Sequence, residues 1–144
     1  MVRTEISLFL ENVPGELGKL ASLFSNERIN IDARGKSIKR IASVASYNSM
    51  RKDSAKFALI RMIVDQTDKA IDLLSKNDYL FDIMPVMTLE LENKPGSLAA
   101  ITNKFGKEGI NINYVYGTVS SPDEKCLFVF CPEDIDLAAK IFKE

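Results

Sequence analysis

Residues 8–32 read LFLENVPGELGKLASLFSNERINID, and residues 89–113 read LELENKPGSLAAITNKFGKEGININ. The two stretches align without a gap, 81 positions apart, and 12 of the 25 positions are identical. Average composition would produce roughly one or two such matches over this length. The chain is therefore a duplicated unit. Whatever one copy does locally the other should do as well, so the fold has to be read from the unit and from how the two copies are joined.

Working outward from the first copy, Ile6, Leu8 and Leu10 alternate with Glu5, Ser7 and Glu11, the period of a half-buried strand. Pro14 is expected to open a helix, because its missing N–H would be unpaired there anyway, and Leu17, Leu20 and Phe24 follow as one apolar stripe. Asn30 and Ile31 begin a second strand, and KFALIRMIV at 56–64 is a third. Asp65 is the expected N-cap of a helix carrying Ala70, Ile71 and Leu74, and YLFDIM at 79–84 is a fourth strand.

The second copy repeats this order with VMTLELEN, a helix from Pro95, a strand from Asn111, the strand KCLFVFC and a helix through Ile135, Ala138 and Ile141. The chain then stops at Glu144. The fold class is α+β: two ferredoxin-like βαββαβ units, residues 1–85 and 86–144, the second lacking its own C-terminal strand and so expected to show an open edge along its first strand. The join between the copies is short. The second strands of the two copies are therefore not expected to join within one chain unless residues 79–92 form one long crossing strand or exchange partners; either residues 79–84 also serve as the missing edge, or the second strands pair between chains. The last is favoured, because Pro85-Val86 lacks the Asn-Gly chemistry of a tight hairpin.

With 144 residues, each unit is close to the lower size limit for an independent core, so packing on a second chain is expected, most simply in a homodimer. A net charge of -1 builds no field that would attract nucleic acid or an anionic membrane. No stretch approaches a membrane span, and a cytoplasmic location is expected. Cys126 and Cys131 lie five residues apart on one strand, point to opposite faces, and read as buried thiols rather than a metal or redox pair. The chain contains no histidine, which removes the commonest general base and metal ligand. No nucleophile-base pairing or glycine-rich phosphate loop is present, so neither catalysis, metal binding nor a cofactor is expected. The first copy carries 12 extra residues between its second and third strands. That region, with Arg34, Lys36, Lys39, Arg40, Arg51, Lys52 and Lys56 against Asp53, is either a basic arm for an acidic partner or a long solvated hairpin.

The doubled Glu-Asn-x-Pro-Gly places a side-chain amide at a strand end beside a helix N-terminus. The amide could cap the helix, or offer a donor and an acceptor to a small zwitterion whose carboxylate the helix end would favour. Glu-Asn-x-Pro-Gly-x-Leu followed by Phe-x-x-x-x-Ile-Asn-Ile resembles the ACT domain, a small regulatory module, over both copies. The resemblance implies that units pair through their sheets and bind an amino acid or a related metabolite at the interfaces between units. Carried over position by position, the effector-binding residues are Asn12, Pro14, Gly15 and Leu17 with Asn30 and Ile31, and Asn93, Pro95, Gly96 and Leu98 with Asn111 and Ile112. Serine-sensing members carry a histidine two positions before the first asparagine, where this chain has Leu10 and Leu91. That departure points toward an effector with an apolar side chain. The function implied is non-catalytic regulation, exerted on a partner enzyme of amino-acid metabolism; the alternative is an assembly subunit that pairs with an enzyme and binds no ligand itself.

Overall fold

The computed structural model describes residues 1–31, 44–47, 57–118 and 125–143. Its elements are β1 (Val2–Glu11), α1 (Glu16–Asn26), β2 (Val44–Tyr47), β3 (Phe57–Met62), α2 (Thr67–Lys76), β4 (Leu80–Leu91), α3 (Ser97–Lys107), β5 (Ile112–Thr118), β6 (Cys126–Pro132) and α4 (Ile135–Ile141). They group into two units, Thr4–Met84 and Pro85–Glu144 together with Met1–Arg3. The basic residues of the 34–56 segment lie outside the described residues.

In the first unit the strand order is β2-β3-β1-β4. β1 runs antiparallel to β3 from Ile6 opposite Met62 to Glu11 opposite Phe57, and β2 pairs antiparallel with the other side of β3. The period-2 alternation of β1 turns Ile6, Leu8 and Leu10 toward Leu20 and Phe24 of α1 and Ala70 and Leu74 of α2, and these residues share one buried core with Ile60 and Met62. Truncating a side chain such as Phe24 to alanine in such a core costs about 3–5 kcal/mol.

The second unit has the order β1-β4-β6-β5, with β4 and β5 both antiparallel to β6. Its core is built from Met87 and Leu89 of β4, Phe105 of α3, Phe130 of β6 and Ala138 of α4. Phe105 occupies the place of Phe24 and is ringed by Phe130 at 5.4 Å and Phe142 at 4.6 Å between centroids. Cys126 and Cys131 are both buried and free, as expected. Leu127, Val129 and Cys131, on the face of β6 turned away from Phe128 and Phe130, are buried as well.

Three sequence expectations are corrected, and the join between the copies takes one of the forms left open. The edge of the second unit is not open along its whole length: Met1 exchanges two backbone hydrogen bonds with Thr88, N–H to O at 2.9 Å one way and 2.8 Å the other. This is the reciprocal bonding of an antiparallel pair, and the Thr88 hydroxyl adds a bond to the Met1 carbonyl at 3.2 Å. The missing fourth strand is thus supplied by the start of β1, not by residues 79–84. The join is one continuous strand, β4, and Pro85 sits within it where the two units divide. Since the Thr88 N–H points to Met1, the Met87 N–H and the nitrogen of Pro85 lie on the β6 side, and pairing with β6 begins only at Met87. A proline that donates nothing is accommodated just before that ladder starts.

The extra residues of the first copy also fall elsewhere than expected. Ile31 makes an isolated antiparallel bridge with Val64, but β2 starts at Val44, so the insertion interrupts the path of the second strand rather than following it. Finally, Asp65 is not a helix cap. The N-cap of α2 is Gln66, and the Asp65 carboxylate accepts the Asn30 N–H at 2.9 Å.

Candidate functional site

The repeated Pro-Gly forms a turn, and the helix starts beyond it. Glu16 N–H reaches back to Val13 O at 3.5 Å, and Ser97 N–H to Lys94 O at 3.3 Å. Gly15 and Gly96, at φ 93 and 90 with ψ near zero, take the third position of a type II turn, with proline preceding. Pro14 and Pro95 therefore do not stand inside the helix: each glycine is the N-cap, and α1 and α3 begin at Glu16 and Ser97. An added Cβ at either glycine would meet nothing within 4 Å, so the left-handed backbone and not crowding demands glycine. A glycine N-cap offers no side chain to the first turn of the helix, and neither Asn12 nor Asn93 is the N-cap residue.

Just before the turn, Val13 N–H bonds to Glu11 O and Lys94 N–H to Glu92 O, each at 2.9 Å. Asn12 and Asn93 are thereby held at the tip of a tight three-residue bend, both exposed. Leu17 and Leu98, one residue into each helix, are apolar yet 43% and 38% exposed, and Val13 in the first-copy loop is 51% exposed. In the second copy Lys94 bonds to the Glu92 carboxylate and holds it below the usual carboxylate range.

In the first copy this loop borders an open cleft of about 210 Å³. Asn12, Gly15 and Leu17 line it together with Glu11, Glu16 and Gly18, over a floor that includes Leu10, Ala58 and Ile60. Of the residues expected from the sequence, Asn12, Gly15 and Leu17 meet here. Ala58, Ile60, Glu16 and Gly18 were not foreseen; Ala58 and Ile60 belong to it only because β3 pairs with β1 in this register.

Asn30 and Ile31 line a different cavity with Phe24, Ser25 and Arg28, and Asn111 lines another with Glu133, Asp134 and Ile135. Their positions are set by the ends of the preceding helices. Ile29 N–H returns to Phe24 O at 2.9 Å and Ile110 N–H to Phe105 O at 3.0 Å, each through a left-handed residue, Arg28 or Gly109. The asparagine carbonyls then accept from the loop before the next helix, Asn30 O from Asp65 N–H at 3.0 Å and Asn111 O from Glu133 N–H at 2.8 Å. Within the described units, Asn12 and Asn30 do not share a cavity.

A family model described as an ACT domain pair matches residues 1–143, and the chain belongs to that family. A search of curated proteins found no match. Among solved structures, the chain is similar to protein BT0572 from Bacteroides thetaiotaomicron, with 26% identity and a TM-score of 0.82 over 99% of this chain and 88% of that one. It is similar in fold to the regulatory subunit of aspartate kinase from Thermus thermophilus, in a ligand-free form, with 13% identity and a TM-score of 0.63 over 98% of this chain and 92% of the other. The regulatory subunit of aspartate kinase from Thermus flavus matches with 15% identity and a TM-score of 0.59 over 99% and 96%. No helix among the described residues is long and apolar enough to cross a membrane.

Proposed function

We propose that this protein is a non-catalytic cytoplasmic regulator that binds an amino acid at its ACT loops and passes that state to a partner enzyme of amino-acid metabolism. The observation that carries the reading is the first-copy cavity, where Asn12, the left-handed Gly15 and the exposed Leu17 surround a space of about 210 Å³. That volume is below the range of drug-sized pockets and suits a small metabolite. Exposure of an amide and an apolar side chain on the same turn is what a zwitterion with a side chain requires. Regulatory subunits of aspartate kinase share the fold, which supports a regulatory role in kind.

A second reading, assembly without a ligand, is favoured by the apolar side chains left in solvent at these loops, Val13 and Leu17 in the first copy and Leu98 in the second. Both readings fit a homodimer whose contacts cover these residues. Thermal denaturation of the whole chain against the twenty amino acids separates them. A ligand at 100 times its dissociation constant adds about 2.7 kcal/mol, an upward shift of roughly 5–10 °C for a chain of this size. A shift with one chemical class of amino acid supports effector binding; twenty unchanged melting curves leave the assembly reading standing.

A further inference from the structure

Resting on that reading, we infer that the two copies are unequal: the first-copy cavity takes one small amino acid without an acidic side chain, and its counterpart in the second copy is closed by larger side chains. The strand registers fix which residues correspond. Leu8 and Leu10 face Ile60 and Ala58, whereas Leu89 and Leu91 face Phe128 and Cys126. Ala58 and Ile60, the floor of the cavity, are therefore replaced by Cys126 and Phe128, and Gly18 in its wall is replaced by Ala99. Every one of these exchanges adds side-chain volume in the second copy. Phe128 is held in place by Phe130, 6.2 Å away between ring centroids.

The mouths differ in charge as well. In the second copy Lys94 occupies Glu92, while the first copy has Val13 in place of that lysine. Two carboxylates, Glu11 and Glu16, line the first-copy cavity, and none of its described lining residues is lysine or arginine. An amino acid's ammonium would be received by Asn12 and these carboxylates, its α-carboxylate by the backbone N–H groups that open α1, and its side chain by Leu17, Ala58 and Ile60, which leaves no donor for a second carboxylate. Like-charge repulsion turns away aspartate and glutamate.

The test is isothermal titration calorimetry of the whole chain with L-alanine, L-valine and L-leucine, set against L-aspartate and L-glutamate. The expected result is a neutral amino acid bound at one equivalent per chain. Asn12→Ala should weaken it roughly tenfold or more, the usual loss for a hydrogen bond to a charged group. Asn93→Ala should leave the affinity within about twofold. Ile60→Phe should abolish binding while the chain still unfolds cooperatively, at a lowered midpoint because Ile60 also packs in the core, and Cys126→Ala with Phe128→Ile should add a second equivalent. Two equivalents per chain in the wild type, or equal losses in the two asparagine variants, would overturn the inequality while leaving the amino-acid site standing. No heat from any of the five probes would overturn the site and this inference together.

Discussion

Arg28 holds a left-handed backbone, φ 56, at the position where the second copy has Gly109 at φ 69. Both residues close the same helix end, but only glycine does so without crowding its own Cβ against the backbone. Arg28→Gly should therefore stabilise the protein by about 1 kcal/mol in a urea titration, and the carbonyl that accepts the Gln66 side chain at 2.8 Å is retained in the variant. Gly15→Ala should have the opposite sign. With open space around the new methyl group, the cost of about 1–2 kcal/mol would be purely that of φ 93, and the loop carrying Asn12 would shift with it. Denaturation together with ligand titration of the same variant would read both effects. The importance of the Pro-Gly pair was legible in the sequence, but its role was not: the same two letters suit a helix start and a type II turn. The task of Asp65 was hidden for a different reason, since its partner Asn30 lies 35 residues away.

Among the elements, β5 and β6 depend on one small residue. A Cβ at Gly117 would lie 2.7 Å from two ring atoms of Phe128, its partner across the ladder. Gly117→Ala should destabilise the protein by about 1–3 kcal/mol, measured by thermal unfolding, and shortening the ring with Phe128→Leu in the same chain should recover part of the loss. β4 depends on the first residues of the chain. Deleting residues 1–3 removes the acceptor of the Thr88 N–H, so amide exchange at Thr88 should accelerate by orders of magnitude while Phe105, in the core of the unit, stays protected. Helices α1 and α3 were legible from their apolar stripes. The position of β2 was not, because Ile31 and Val44 both pair along the β3 strand path and nothing in the local pattern says that 12 residues intervene between the bridge and the ladder.

On the scale of the molecule, the two units exchange strands: β4 passes from one into the other at Met84 and Pro85, and Met1–Arg3 belong with Pro85–Glu144. Residues 85–144 made alone should then lack an edge strand and an uninterrupted β4, and should sediment as associated or unfolded material, whereas the intact chain folds. A folded, monomeric 85–144 fragment would contradict this. By itself the sequence determined the duplication, the α+β class, the order of elements, the core residues and the loop that carries Asn12, because periodicity and turn chemistry are local and were written twice. Only the tertiary structure decided that Met1 pairs with the edge of the second unit, that β4 runs unbroken through Pro85, and that Ala58 and Ile60 line a cavity with Asn12, at ladder positions that Cys126 and Phe128 hold in the other copy. Those outcomes rest on strand register, which is set by hydrogen bonds between residues far apart in the chain and leaves no mark on the pattern of either strand alone.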